Sequence, residues 1–275
     1  MTAVKLFPEP TWFVGCGNMA GAMLDGWRSA DVDLGQVVAI RPSGTPVESV
    51  RTVSSYGDAG LPPKLVVLGF KPQKLSEVVP VLAPWLTSKA TILSLLAGAE
   101  VASLRARFLK AGPIVRAMPN IPVAVRRGVT ALFGEDLAEA AKSELTRLMM
   151  PLGLVHWTRD EAELGAIGSL AGSGPAYVAR FIAAFSEAGI KSGLDPKLAQ
   201  TLAIETVFGT GWLAAATGDS MDAIARKVAS PNGTTEAGLA VLDGEAGMAE
   251  LIEVTLDASA RRSAELAAAA RSASS

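Results

Sequence analysis

The feature that most constrains the fold of this chain is the alternation of short apolar runs with amphipathic stretches through its first 155 residues. Apolar runs of strand length occur at residues 12–16, 37–40, 65–70, 91–96, 114–117 and 129–133. Strands that alternate with helical segments form βαβ units, and near-continuous apolar strands belong to a sheet that is covered on both faces. The pattern therefore predicts an α/β fold with a mostly parallel, doubly wound sheet.

The pattern changes after about residue 158, where apolar residues recur with helical spacing. Helices are predicted at residues 176–191, 196–216, 220–228, 235–242 and 248–270, and no strand is expected there. We therefore expect an α/β nucleotide-binding domain at residues 1–158 and an all-helical domain at residues 159–275. The helix at residues 199–216 is apolar on more than one face, which favours burial against another subunit and hence an oligomer.

Composition excludes several classes of function. The net charge is −2 and the charged residues are scattered, so neither a nucleic-acid nor a membrane-surface partner is indicated. Cys16 is the only cysteine and His156 the only histidine, so no metal site is expected, and His156 is assigned a structural role in a short strand. The sequence shows neither a signal peptide nor an apolar run long enough to span a membrane, so a cytoplasmic location is expected.

A glycine-rich loop follows the first predicted strand and opens a helix. It spans residues 15–20, and the first candidates for cofactor binding are Gly15, Gly17, Asn18, Met19 and Ala20. In this G-x-G-x-x-A pattern the first glycine permits a tight turn, the second lets the backbone approach a pyrophosphate, and a small third residue allows the helix to pack on the strand. Free N–H groups at the helix start bind phosphate. The alternative is a glycine-rich turn without a ligand.

The end of the second strand bears on the choice of cofactor. An NAD site usually carries Asp or Glu there, to bind the ribose 2′-hydroxyl. This chain has Arg41 and Ser43 instead, and a guanidinium offers a planar set of donors that suits a phosphate. The sequence therefore favours NADPH, with NADH as a possible donor. The alternative is an exposed arginine in a loop.

Further motifs occur in a characteristic order along the chain. They are Gly69-Phe70-Lys71-Pro72, Leu96-Ala97-Gly98, Arg116-Ala117-Met118-Pro119-Asn120, Ala171-Gly172-Ser173-Gly174-Pro175-Ala176-Tyr177 and Ser230-Pro231-Asn232-Gly233-Thr234-Thr235. In this order and spacing, from about Trp12 to about Leu242, the chain closely resembles pyrroline-5-carboxylate reductases. The resemblance implies a Rossmann domain, a helical dimerisation and substrate domain, and a homodimer or higher oligomer with active sites shared between subunits.

The resemblance also implies an activity and a set of site residues. The activity is transfer of a hydride from NADPH to the C=N bond of 1-pyrroline-5-carboxylate, which gives L-proline in the last step of proline biosynthesis. The residues that would border the cofactor are Phe70, Lys71, Pro72, Ala97 and Lys227, in addition to the glycine-rich loop, Arg41 and Ser43. Those that would border the substrate are Ser230, Gly233, Thr234 and Thr235, with Glu161 nearby.

The segment at residues 230–235 has the features of a helix start, with polar residues and an early proline before an apolar run. Free N–H groups at such a start bind a carboxylate without a cationic side chain. Thr235 is the candidate for a hydrogen bond to the ring nitrogen of the substrate, and Glu161 is the candidate to balance the charge of a protonated imine. The alternatives are a capped helix without a ligand and a surface glutamate.

Two other functions remain open at this level. Imine reductases and 3-hydroxyacid dehydrogenases share the same two-domain plan, but the hydroxyacid enzymes usually place a lysine on the long helix after the domain junction, whereas Lys191 falls at the end of that helix here. A regulatory protein that senses NADP(H) without turnover is the second alternative. Retention of Ser230, Gly233, Thr234 and Thr235 argues against it, because a sensor has no need of a substrate pocket.

Overall fold

One eight-stranded sheet organises the N-terminal part of the chain in the computed structural model, which describes residues 3–272. Its strands are Thr11–Val14 (β1), Val37–Ile40 (β2), Arg51–Val53 (β3), Leu65–Leu68 (β4), Thr91–Ser94 (β5), Ile114–Pro119 (β6), Gly128–Phe133 (β7) and Gly153–Trp157 (β8). The predicted strands are all present. The first is shorter than its apolar run because the chain turns at Gly15, whose φ is +76°.

The strands follow the order β3-β2-β1-β4-β5-β6-β7-β8, and neighbours pair in parallel except β6 with β7. The prediction of a mostly parallel, doubly wound sheet is therefore confirmed. β3 was not predicted, because three residues with an exposed arginine give no apolar run. The strand order reverses between β1 and β4, and ligands of such sheets bind outside the carboxyl ends of the strands at that point.

Helices cover both faces of the sheet and create two hydrophobic cores. They are Asn18–Ser29 (α1), Leu75–Leu82 (α2), Val101–Arg107 (α3), Glu139–Met149 (α4) and Glu161–Ile167 (α5). Adjacent residues of β1 point into different cores, Phe13 into one and Trp12 into the other, as the two-residue period of a strand requires. Burial of a side chain such as Phe13 stabilises the fold by roughly 1.5–3 kcal/mol.

The rest of the chain is helical, as predicted. Its helices are Gly174–Lys191 (α6), Pro196–Thr217 (α7), Met221–Val228 (α8), Thr234–Leu242 (α9) and Met248–Ser272 (α10). Asp195 caps α7 by accepting hydrogen bonds from the N–H groups of Lys197 and Leu198, and Pro196 takes the first helical position, where a missing N–H does least harm. After β8, the residues described by the structure contain no strand.

The chain divides into two compact units. The described residues of 1–173 and 259–275 form the first, here called the sheet unit, and residues 174–258 form the second, the helical unit. The grouping differs from the expected ranges 1–158 and 159–275 because α5 packs with the sheet, where Leu164 is fully buried. Whether residues 1–158 and 159–275 act as separate domains stays a prediction.

Large apolar side chains are exposed on the helical unit. On α7, Phe208 is 61% exposed and Trp212 is 52% exposed, and Leu198, Leu202 and Leu213 are also exposed. The sequence predicted that this helix is apolar on more than one face, and the single chain leaves much of that surface uncovered. Within residues 3–272, none of the helices combines the length and the apolar character needed to cross a membrane.

Candidate active site

The loop between β1 and α1 places backbone N–H groups at the carboxyl edge of the sheet. Gly15 has φ +76°, a conformation that L side chains rarely adopt. Gly17 is the N-cap of α1, no side chain caps this end, and the first turn contains no acidic residue. The first N–H groups of α1 are therefore available to an anion, and the helix dipole favours negative charge there.

A second glycine, in the loop after β4, packs against the glycine-rich loop. Gly69 donates its N–H to the carbonyl of Val14 at 2.9 Å, and its own carbonyl accepts from the N–H of Gly17 at 3.3 Å. A Cβ at Gly69 would lie 3.0 Å from the carbonyl oxygen of Gly15 and 3.1 Å from the Cβ of Ala20. The sequence interpretation assigned Gly69 no role. The sequence feature that could have identified Gly69 is its position directly after an apolar strand and before Phe70.

Most of the predicted cofactor residues lie around one cleft of ≈ 530 Å³, a size typical of a small-molecule site. Those lining it are Gly15, Gly17, Asn18, Met19, Ala20, Arg41, Phe70, Lys71, Pro72 and Ala97, together with Cys16, Gly69 and Leu95. Two predicted residues, Ser43 and Lys227, do not line it. Among the described residues, the lining contains the cations Arg41 and Lys71 and no carboxylate, so the cleft suits an anionic ligand.

Arg41 and Ser43 lie in the loop that follows β2. A guanidinium nitrogen of Arg41 donates to the carbonyl of Thr45 at 2.9 Å, and the hydroxyls of Ser43 and Thr45 are 2.9 Å apart. The loop thus brings a cation and two hydroxyls together near the cleft. Burial raises the pKa of the neighbouring Cys16 thiol, and the positive charge of Arg41 offsets that rise only in part.

A second cavity, of ≈ 360 Å³, lies within the sheet unit and shares Ala97 with the cofactor cleft. Arg116 and Glu161 both line it and form an ion pair. The second carboxylate oxygen of Glu161 accepts a hydrogen bond from the N–H of Val101 at 3.0 Å. Glu161 is therefore paired rather than a free surface glutamate, and Arg116, to which the sequence interpretation gave no role, is its partner.

The segment at residues 230–235 forms the start of α9, as predicted. Gly233 is the N-cap, and the first helical hydrogen bond runs from the N–H of Ala237 to the carbonyl of Gly233. The N–H groups of Thr234 and Thr235 come before that bond in the chain, so they have no carbonyl within the helix to donate to. No side chain makes a cap hydrogen bond, so the hydroxyls of Ser230 and Thr234 are not used to cap this helix.

Gly233 allows this turn to close tightly. A Cβ at Gly233 would lie 2.3 Å from the hydroxyl oxygen of Ser230 and 2.8 Å from its carbonyl oxygen. The carboxylate of Glu236 accepts from the N–H of Asn232 at 2.6 Å, which ties the turn to the first helical turn. The helix thus begins with N–H groups that no residue of the helix can satisfy, as at any uncapped helix start.

Lys227 lies on α8 in the helical unit and is paired within that unit. Its ammonium group is 2.6 Å from a carboxylate oxygen of Asp219, and that carboxylate also accepts from the hydroxyl of Thr217. The hydrogen bond from Lys227 holds the pKa of Asp219 below its usual value. The predicted contact of Lys227 with the cofactor stays a prediction.

Comparison with known proteins places these features in a family. Residues 161–266 match the family described as pyrroline-5-carboxylate reductase dimerisation. The pyrroline-5-carboxylate reductase of Pseudomonas aeruginosa is 35% identical over 262 residues, which are 93% of this chain and 96% of that protein.

Solved structures agree with the sequence comparison. A pyrroline-5-carboxylate reductase from Coxiella burnetii has a TM-score of 0.84 and 31% identity, with coverage of 94% of this chain and 98% of that chain. The crystal structure of Plasmodium falciparum pyrroline carboxylate reductase with NADP bound has a TM-score of 0.86, over 95% of this chain and 99% of that chain. At 22% identity, this second likeness is one of fold.

Proposed function

This chain belongs to the pyrroline-5-carboxylate reductase family, and on that premise we propose that it reduces the C=N bond of 1-pyrroline-5-carboxylate to L-proline, the last step of proline biosynthesis. The preferred hydride donor is NADPH. The observation that carries the proposal is the ≈ 530 Å³ cleft at the carboxyl edge of the sheet, whose described lining holds two cations and no carboxylate. The cytoplasmic location expected from the sequence stays a prediction.

The cofactor residues divide by their place along the cleft. The glycine-rich loop and the start of α1 bind the pyrophosphate through backbone N–H groups. Arg41, on the side of β2, binds the 2′-phosphate of the adenosine half, and Ser43, which does not line the cleft, adds a hydroxyl from the same loop. Ala97, on the side of β5, borders the nicotinamide, whose C4 supplies the hydride when NADPH is bound. Phe70, Lys71 and Pro72 line the cleft between these ends.

The start of α9 binds the carboxylate of the substrate. The N–H groups of Thr234 and Thr235 precede the first helical hydrogen bond, and the helix dipole adds a partial positive charge. The hydroxyls of Ser230 and Thr234 add donors, since neither caps the helix. Gly233 permits the turn, because a side chain there would collide with Ser230. This arrangement recognises a carboxylate without a lysine or an arginine.

Reduction of the imine requires one hydride at carbon and one proton at nitrogen. A protonated imine accepts hydride more readily than a neutral one, and the substrate can arrive already protonated, in which case no strong side-chain acid is needed. The hydroxyl of Thr235 accepts a hydrogen bond from the protonated ring nitrogen and thereby orients the ring. Much of the acceleration comes from this positioning of the reacting carbon.

The proposal includes self-association, with each active site shared between two subunits. It is supported by the family match over residues 161–266 and by the exposed apolar side chains of α7. In a two-fold dimer, the α9 start of one subunit then completes the cofactor cleft of its partner. The sharing is tested by combining a variant impaired in the cleft, Gly15→Ala, with one impaired at the α9 start, Gly233→Ala.

The two variants are expressed with different tags, and heterodimers are purified through both tags. Shared sites predict that one site of each heterodimer pairs two intact halves, so that activity recovers to about half of the wild-type value. Sites contained within one subunit predict no recovery, because every site then carries one of the two substitutions. Size-exclusion chromatography of each homodimer controls for loss of association.

The activity itself is tested by loss of NADPH absorbance when pyrroline-5-carboxylate is added to the purified protein, with NADH in parallel and proline identified as the product. Oxidation of NADPH without formation of proline contradicts the proposed substrate. Tight NADPH binding without turnover of a cyclic imine favours instead a regulatory protein that senses NADP(H).

A further inference from the structure

Arg116 is an almost fully buried cation in the sheet unit. Its side chain is 8% exposed, and it lies on β6 between Ser94 of β5 and Phe133 of β7. A guanidinium keeps its proton at all relevant pH values, so burial requires a counter-ion. Arginine is otherwise rare inside an apolar strand, which points to a specific function for the pair it forms.

Glu161 supplies the counter-ion and makes one further bond. One carboxylate oxygen accepts a hydrogen bond from Arg116, and the other accepts from the N–H of Val101 at 3.0 Å. Arg116 lies on β6, Glu161 is the first residue of α5, and Val101 is the first residue of α3. One carboxylate therefore joins three elements that are far apart in the chain, and both of its oxygens are engaged.

The bond to Val101 fixes the end of the segment that separates the two cavities. Residues 95–100 connect β5 to α3 and turn at Gly98, whose φ is +74°. Ala97 lines both the cofactor cleft and the second cavity, and Gly98 lines the second cavity beside Arg116 and Glu161. The ion pair therefore supports the wall of the cleft on the side of β5.

We propose that Arg116 and Glu161 act as a positioning pair, which holds Ala97 and Gly98 where they set the nicotinamide against the imine carbon. The inference rests on the proposed function and gives Glu161 a different role from balancing the charge of the imine. The negative charge of Glu161 is matched by Arg116, so the substrate meets a neutral pair. Misplacement of reacting atoms by about 1 Å costs up to roughly 100-fold in rate, so this support affects turnover.

The test compares Glu161→Gln, Arg116→Gln and the double variant that carries both. Each single variant leaves one charge without its partner, whereas the double variant is neutral. The amide oxygen that Glu161→Gln introduces remains an acceptor for the N–H of Val101. Glu163→Gln is the matched control, because Glu163 lies in the same first turn of α5 and is similarly exposed (24% against 27% for Glu161), but pairs with Arg159 at 3.0 Å and lines neither cavity.

A positioning role predicts that kcat falls roughly 10- to 100-fold in both single variants, while the KM for the imine changes little. The primary isotope effect with 4-deuterated NADPH is expected to rise, because hydride transfer becomes slower than the other steps. The double variant is expected to recover most of the lost kcat. The Glu163→Gln control is expected to match the wild type.

A different pattern would overturn the proposal. If the charge of Glu161 acts on the imine directly, the double variant stays as slow as Glu161→Gln and the pH dependence of kcat changes in both. Single variants with the kcat of the control also refute a positioning role. NADPH binding, followed by fluorescence, identifies variants that fail to fold, and in that case Arg116→Lys and Glu161→Asp replace them. A wild-type protein without imine turnover refutes the proposed function and this inference together. If the wild type is active, the variants test the role of the Arg116–Glu161 ion pair separately from the proposed function.

Discussion

Two glycines of α1 provide a matched test of how this helix packs against Val123 and Leu152. A Cβ at Gly26 would lie 2.2 Å from the carbonyl oxygen of Val123 and 2.7 Å from a methyl carbon of Leu152, whereas a Cβ at Gly21 would meet no atom within 4 Å. Both residues lie within the same helix, where alanine is favoured over glycine by roughly 0.5–1 kcal/mol. The preference of the helix for alanine over glycine is therefore the same at both positions, and only the atoms that surround the added methyl group differ.

Gly21→Ala is expected to raise the free energy of unfolding by about 0.5–1 kcal/mol, since nothing opposes the helix preference. In Gly26→Ala the added methyl meets a backbone carbonyl that cannot rotate away, and such overpacking costs about 1–3 kcal/mol. The net change at Gly26 is then a loss of about 1 kcal/mol at mid-range values, and of at most about 2.5 kcal/mol. For a chain of this size, a loss of about 1 kcal/mol lowers Tm by roughly 2–4 °C.

The measurement is thermal unfolding of the two variants and the wild type, without cofactor. Protein concentration is held equal, because association of subunits raises Tm as concentration rises. Opposite shifts of Tm, upward for Gly21→Ala and downward for Gly26→Ala, are the expected result. A Gly26→Ala variant as stable as Gly21→Ala would refute the reasoning, because α1 would then not lie against Val123 as described.

Three further outcomes are expected. Arg41→Asp should weaken NADPH binding roughly 10- to 100-fold and NADH binding much less, as measured by fluorescence titration, because a charge-assisted contact to phosphate is lost. Equal losses for both cofactors would show that Arg41 does not discriminate between them. Thr235→Ala should lower kcat roughly 10-fold without abolishing turnover, because the hydroxyl orients the ring and supplies no proton. Complete inactivity in a folded variant that binds NADPH would contradict that role. Burial raises the pKa of the Cys16 thiol, so its thiolate fraction near neutral pH is reduced. Alkylation of Cys16, followed by mass spectrometry, should therefore be slower than alkylation of free cysteine at about pH 8, and it should become faster as the pH is raised. Bound NADPH should slow the alkylation further, because Cys16 lines the cofactor cleft. A rate at about pH 8 equal to that of free cysteine would show that the thiol is not shielded.

The sequence by itself determined the local elements and the residues that open them. Apolar runs and helical periodicity identified β1, β2 and the helices from α6 to α10, because these patterns depend on neighbours within one or two turns. The glycine-rich loop was identified for the same reason, since its function resides in a few consecutive backbone positions. Arg41 could be singled out because it stands where a carboxylate is usual in an NAD site.

Only the tertiary structure decided which distant residues meet. Gly69 supports Gly15 because β4 lies beside β1, and no local pattern states which strands are neighbours. Arg116 and Glu161 are 45 residues apart, and each alone is compatible with an exposed side chain. Their pairing depends on β6 and α5 packing on one face of the sheet, where a buried cation must find a counter-ion. Contacts of this kind are set by the strand order and by burial, and neither is encoded in any short stretch of the chain.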